Sequence, residues 1–262
     1  MTGEIVVHSP IRARMLPVKA REVVRNPTLA EGVQERLSAD IISGRLRPGD
    51  KLSFDMLKQR YGAGISPLRE ALQRLVGVNL VAVEGHVGFR VAPIQLDDLM
   101  DINALRLQLE VQALRDAIAN GSPEWEAQVV AAAHQLSRMP MPVDPNGDDA
   151  ERWEEAHWRF HDTLISACTS PWTLQFCRTL FAQFRRYRRI VLNKYWSSEP
   201  LRKVIDKEHQ AVADAVLARD ADLAAKHLET HYRKSAERVV QEYVRLVKAG
   251  VIDDEAALKY SI

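Results

Sequence analysis

Between Ser53 and Ala92 the apolar residues change from a helical period to a strand period, and few folds accommodate that switch in so short a stretch. Phe54, Leu57 and Tyr61 follow Ser53 at steps of three and four, and serine is a residue type that caps helices. Gly62 and Gly64 suit a tight turn. Ser66 then precedes Pro67 at an expected first helical position, and Leu68, Ala71, Leu72, Leu75 and Val76 continue at helical spacing. From Leu80 to Ala92 the pattern alternates. Val81 and Val83 precede a turn at Glu84-Gly85-His86, and Val87, Phe89 and Val91 follow it, which predicts a hairpin. Upstream, Leu29, Val33, Leu37 and Ile41 recur every fourth residue. Together these elements predict a winged helix-turn-helix over 29–95.

The outward face of the second helix carries Arg69, Glu70, Gln73 and Arg74. In isolation such a run is ordinarily a solvated face. With a turn before it and a wing after it, the same face is the expected reader of DNA. Charge supports this. Residues 1–95 hold 14 Lys or Arg against 9 Asp or Glu, whereas the remainder holds 22 against 26, so the net +1 of the chain hides a basic front and an acidic back. A basic front is attracted to phosphate.

Residues 1–28 contain Pro10, Pro17 and Pro27 without a sustained period and are expected as a flexible lead-in. Beyond a short connection at Pro93 to Gln95 every pattern is helical. Six helices are predicted, over about 96–119, 123–138, 149–168, 172–195, 199–218 and 221–248, with 249–262 as a tail. Gly121-Ser122-Pro123 and Thr169-Ser170-Pro171 supply explicit breaks, and the Pro-, Gly- and Asp-rich stretch from Met139 to Asp148 supplies another. Helices of such length joined by short loops pack as an antiparallel bundle. No apolar run approaches the ~18 residues a membrane span needs, and Cys168 and Cys177 form no disulfide framework, so a cytoplasmic protein with two small core thiols is expected.

Five of the eight histidines fall between 157 and 231. His157 and His161 lie four apart and share one helix face; His209 and His231 sit on two further helices. Imidazoles meeting in a bundle suit a borderline divalent metal, although a single histidine on an apolar helix is ordinarily a satisfied core residue.

Gly44 to Leu52, Pro67-Leu68-Arg69-Glu70-Ala71-Leu72-Gln73-Arg74-Leu75 and Gly88-Phe89-Arg90-Val91 resemble the GntR family of bacterial transcription regulators. That resemblance implies a homodimer on a palindromic operator, with the recognition helix in the major groove and the wing tip in the minor groove. By position, Ser66 and Pro67 would lie against the DNA backbone, Arg69 would hold a phosphate or base edge, Gln73 and Arg74 would continue the reading face, and His86 would stand at the wing tip. Asp55 and Ile65 depart from the basic residues of fatty-acid-responsive relatives, so the operator is not transferable from them.

Residues 96–248 are similar to the FCD ligand-binding domain of the FadR branch. FCD domains hold a metal through an Asp and a His four apart, a His in a Glu-His motif, and a His 22 residues further on. His161, His209 and His231 match the three histidines, and His157 stands at the aspartate position. Imidazole in place of carboxylate favours zinc, nickel or copper over manganese, with zinc or nickel expected at one ion per chain. His227, one turn before His231, competes for the last position; the spacing favours His231. Arg106, in a stretch similar to the early Arg and Glu of FCD domains, is a candidate clamp for a carboxylate effector. An intrahelical pair with Glu110 is the equally weighted alternative. From the run Arg185, Arg186, Arg188 and Arg189, Arg186 is the second effector candidate, although most of such a run is ordinarily solvated.

The expected function is a metabolite-responsive regulator, a repressor released from its operator by a small carboxylate bound at the metal. The double-histidine segment from Trp153 to His161 is most similar to carbon-starvation-induced regulators, which suggests a dicarboxylate such as glutarate. A regulator for which the metal itself is the signal is the alternative. A metal-dependent enzyme is the remote one, because no general base or second catalytic motif accompanies the histidines.

Overall fold

A computed structural model describes residues 28–85, 88–140, 142, 147–191 and 199–260. The expected lead-in therefore lies outside the described residues, except for Thr28. Thr28 begins the structure proper: its side chain caps α1 (Leu29–Ile42), and Glu31 returns a bond to its backbone, a capping box. Val33, Leu37 and Ile41 of α1 are buried, whereas Leu29, in the first turn, is 59% exposed and Ala30 packs inward in its place.

Ser53 caps α2 (Phe54–Tyr61) through the backbone of Met56, and α2 ends on Gly62 in the left-handed region at φ +65°. The recognition helix α3 (Ile65–Val76) begins two residues earlier than the proline suggested, with Gly64 as its cap and Ser66 and Pro67 inside the first turn. Pro67 is tolerated there because first-turn N–H groups have no intrahelical acceptor. Strands β1 (Val81–Glu84) and β2 (Gly88–Val91) pair antiparallel with Val81 opposite Val91 and Glu84 opposite Gly88. Val81 is buried, but Val83, expected on the same covered face, is 58% exposed because the hairpin has by then run past the head's core. Gly85 turns at φ +58°; His86 lies outside the described residues.

The body consists of α4 (Leu96–Asn120), α5 (Pro123–Arg138), α6 (Asp148–Ile165), α7 (Pro171–Val191), α8 (Glu199–Leu217) and α9 (Ala221–Lys248). Ser122 caps α5 with Pro123 at its start. Gly121 is required there by space, because a Cβ would lie 2.1 Å from the Trp125 ring, whose Nε1 donates to Thr163 O at 2.8 Å. α6 ends at Ile165, so Cys168 lies in the following turn; it and Cys177 are buried and form no disulfide.

The segment expected as a tail instead folds back as a 3-10 helix (Glu255–Tyr260). Ala257 is buried, and Lys259 and the Tyr260 hydroxyl both reach Asp97 at 2.8 Å. Asp254 accepts from Leu96 N at 3.1 Å and from the Tyr243 hydroxyl at 2.9 Å, and so caps α4, whose own Gln95 makes no side-chain cap.

Head and body meet along α7. Gln183 donates to Val78 O, and Arg186 donates to Asn79 O and Ala92 O. Arg45 bridges Asp40 of the head at 2.6 Å and Glu151 of α6 at 3.0 Å.

Candidate metal centre and nucleic-acid interface

Leu68, Ala71, Leu72 and Leu75 turn one side of α3 into the head's core, which forces Ser66, Arg69 and Gln73, at steps of three and four, onto the opposite, exposed side. Arg69 rests over the Phe54 ring, 5.0 Å from its centroid, which braces the guanidinium against α2 while it remains exposed. Pro67 is half-buried. Arg74 is engaged by Glu70 at 2.7 Å and lies 3.6 Å from Glu31, so its charge is already partly balanced. Gly64 offers no side-chain cap, leaving first-turn N–H groups of α3 directed at the end that carries Ser66.

In the body, α6, α8 and α9 each turn histidine inward. His157, His161, His209 and His231 are all buried, and one ring nitrogen from each lies within 4.8 Å of those of the others. His157 Nε2 and His161 Nε2 are 3.2 Å apart. Nitrogens sharing one tetrahedral zinc would be roughly 3.3 Å apart, given its bond lengths. His227 is not among them; it is half-buried near Lys207 and Lys234 on the outer surface.

Hydrogen bonds fix which nitrogens of His231 and His161 carry protons. Glu208 is a carboxylate, so its 2.9 Å contact with His231 Nδ1 requires an N–H there and leaves the Nε2 lone pair available. Tyr232 donates its hydroxyl hydrogen to Glu110; its oxygen then accepts from His161 Nδ1 at 3.1 Å, which leaves His161 Nε2 as a lone pair. Arg106 Nε holds Glu110 at 2.8 Å and its guanidinium packs 4.3 Å from the Tyr232 centroid. Arg106 thus takes the Glu110 pairing and supports the cluster from behind.

Burial lowers the basicity of all four imidazoles: charge is disfavoured away from water, and the neighbouring rings and arginines oppose a further positive charge. Burial by itself would raise the Glu208 carboxyl, but hydrogen bonds from His231 and Arg238 bring it down to about 2. Neutral imidazoles backed by a carboxylate are a donor set for a borderline divalent cation.

Four buried atoms here have no hydrogen-bond partner among the described residues: both nitrogens of His209, Arg188 Nε and Glu154 Oε1. Buried polar groups are seldom left so, and the one lone pair of neutral His209 fits a metal ion. Arg188 Nη1 donates to His157 Nδ1 at 3.0 Å, which leaves the His157 proton on Nε2, facing the His161 Nε2 lone pair, and Nη2 donates to Glu154. Trp153 stacks on His157 with centroids 4.9 Å apart.

Among the arginines of α7, therefore, Arg188 reaches the cluster, whereas Arg186, expected to face an effector, points into the head's backbone carbonyls. From that run the sequence reading chose Arg186 and not Arg188, although Cys177, Phe181, Phe184 and Arg188 form a three-and-four stripe that is buried throughout. It also missed Glu208, adjacent to His209, and Tyr232, adjacent to His231.

Residues 29–91 match the sequence model of bacterial regulatory proteins of the gntR family, and residues 101–234 match that of the FCD domain. The chain is 42% identical over 219 residues to the HTH-type transcriptional regulator BphR of Paraburkholderia xenovorans, covering 82% of this chain and 86% of BphR. It is 37% identical over 195 residues to the HTH-type transcriptional repressor GlaR of Escherichia coli, covering 74% of this chain and 88% of GlaR. The solved structure of McbR/YncC from E. coli superposes with a TM-score of 0.70 at 22% identity, over 83% of this chain and all of that one, and shows the same fold. These relatives are transcription regulators, not enzymes. No helix among the described residues is long and apolar enough to cross a membrane.

Proposed function

We propose that this chain, which belongs to the gntR family of bacterial regulatory proteins and carries an FCD domain, works as a repressor whose grip on DNA is set by a metal-assisted carboxylate site in its body. It is a DNA-binding transcription regulator; the proposal concerns how it is controlled. The observation that carries it is the meeting of four neutral, buried imidazoles with the guanidinium of Arg188.

In this reading His157, His161, His209 and His231 hold one divalent ion, zinc or nickel from the all-nitrogen donor set. When bound, the ion would supply Lewis acidity and, on expanding beyond its four imidazoles, would accept a carboxylate oxygen. Arg188, whose Nε is buried without a partner, places a guanidinium beside the imidazoles and would exchange its contacts with His157 and Glu154 for an anion. A small dicarboxylate fits this pairing of charges, and glutarate is the one the sequence resemblance suggests. GlaR bears the name of a repressor, and this chain is read likewise.

Control of DNA requires that the effector favour one arrangement of the head over another. α7 supplies a direct connection, since Arg188 at the cluster is followed back along the helix by Arg186 and Gln183 at the head. A shift of Arg188 toward an effector moves the helix that holds the carbonyls of Val78, Asn79 and Ala92. A dimer would place two α3 helices in successive major grooves, with Ser66, Pro67, Arg69 and Gln73 against DNA and Arg74 beside them. A coupling of ~1–3 kcal/mol would weaken operator binding about five- to 150-fold.

The test is fluorescence anisotropy of the full chain on fragments of its own promoter region, with zinc-loaded protein, chelator-treated protein, and zinc-loaded protein titrated with a panel of dicarboxylates. Release by a dicarboxylate only when zinc is present supports the reading. Release by chelation alone, with every dicarboxylate inert, would make the metal itself the signal.

A further inference from the structure

A second cavity lies between head and body, apart from the histidines. It has a volume of about 790 Å³ and is walled by the Ser43–Gly49 loop of the head, by the Pro93–Ile94 connection, by Arg189 of α7 and by residues 251–253 behind α9. Neither the regulatory reading above nor the resemblance gives it a role.

Its chemistry is cationic. Arg189 is only 6% exposed, yet its Nε and Nη1 have no hydrogen-bond partner among the described residues. Burial lowers its basicity, with the carboxylates of Glu154 and Glu151 pulling the other way. Arg189 lines the cleft, and a buried guanidinium with two donors left idle in the wall is a group that lacks its acceptor. Across the cavity, Arg47 is exposed and Arg45 is already balanced by Asp40 and Glu151. Among the described residues Asp253 is the one acidic group on the wall, so the arginines outnumber it. Gly44 and Gly49 turn at φ +75° and +82° and leave no side chain in the way; a Cβ on either would meet nothing within 4 Å.

We propose that this cleft is a second effector site, for a small metabolite bearing a carboxylate or phosphate, with Arg189 and Arg47 as its anion-binding donors from the body and the head. Because its walls come from both modules, a ligand there binds only one of their relative placements and so holds the head to the body. Arg188 and Arg189 are adjacent on α7, so the metal site and the cleft share one helix and their occupants influence each other.

The test uses the full-length chain with the metal cluster disabled by His209→Ala, so that binding of anions to a metal is removed from the readout. Inorganic phosphate and succinate are titrated separately by calorimetry, and the two arms distinguish phosphate from carboxylate. One of them binds once per chain, and adding Arg189→Gln or, on the exposed side, Arg47→Gln weakens it at least tenfold while the far-ultraviolet circular dichroism stays unchanged. Binding lost with His209→Ala alone, equal binding with and without the arginine substitutions, or no heat from either anion overturns the proposal. So does a fall in operator affinity on Arg189→Gln without any anion present, which would assign the cleft to a DNA phosphate.

Discussion

Replacing Tyr232 by Phe tests whether the polar chain behind the histidines prepares them for a metal. The substitution removes one oxygen and keeps the ring on which Arg106 packs. That oxygen joins Glu110 to His161 Nδ1, the latter at 3.1 Å. Without it His161 loses the acceptor that keeps the proton on Nδ1, and the imidazole can rotate or present the wrong nitrogen. Glu110 retains Arg106 at 2.8 Å, so no unpaired charge is left in the core. A hydrogen bond to a charged group contributes about 1.5–3 kcal/mol. That figure is the cost to folding of losing the bond to Glu110; loss of the partner behind His161 lowers metal affinity about 10–100-fold, equivalent to about 1.4–2.7 kcal/mol. Competition for zinc against a chromophoric chelator reads the change directly. Circular dichroism of the metal-free variant controls for folding. A folded Tyr232→Phe protein that holds zinc as tightly as wild type would refute the reasoning that Tyr232 orients His161.

Arg69→Ala should weaken operator binding at least tenfold by anisotropy without changing the mass seen by sedimentation; wild-type affinity would remove Arg69 from the DNA face. Arg186→Ala strips two backbone carbonyls of their donor at the head-body junction and should cost about 2–3 kcal/mol; calorimetry should then show the head melting apart from the body. Gly121→Ala drives a methyl into the Trp125 ring and should destabilise the body by about 1–3 kcal/mol in urea titration. Burial alone would raise the Asp40 carboxyl, but Arg60, Tyr61 and Arg45 hold it below its ordinary value. A lowered folded value means stability that is present above about pH 4 and lost as pH falls through the folded value; the stability gap between wild type and Asp40→Asn should close over that interval and not above it.

The sequence announces elements more clearly than contacts. The helices of the body are legible because the breaks at Gly121-Ser122-Pro123 and Thr169-Ser170-Pro171 are chemical stops, and the head because its period changes. The start of α3 is misread because proline suits several first-turn positions, and the structure uses Gly64 rather than Ser66 as the cap. The fate of residues 249–262 is invisible locally, since Asp254 and Asp97 meet only after α4 and α9 have packed. At the candidate metal centre the family spacing picks out His161, His209 and His231, and the four-residue step adds His157. The arginine run on α7 reads as a solvated face because charge is ordinarily outside. Its members are instead divided among Glu154, the head's carbonyls, the cluster and the cleft, and that division depends on three-dimensional neighbours.

The most direct test of the account is metal content per chain by elemental analysis, with X-ray absorption at the metal edge, on protein purified without chelator. One zinc or nickel ion per chain in an imidazole-dominated shell, lost on His209→Ala, is the predicted result. A chain that retains no ion after incubation with zinc or nickel, or whose ion is held by sulfur or survives His209→Ala unchanged, would contradict it.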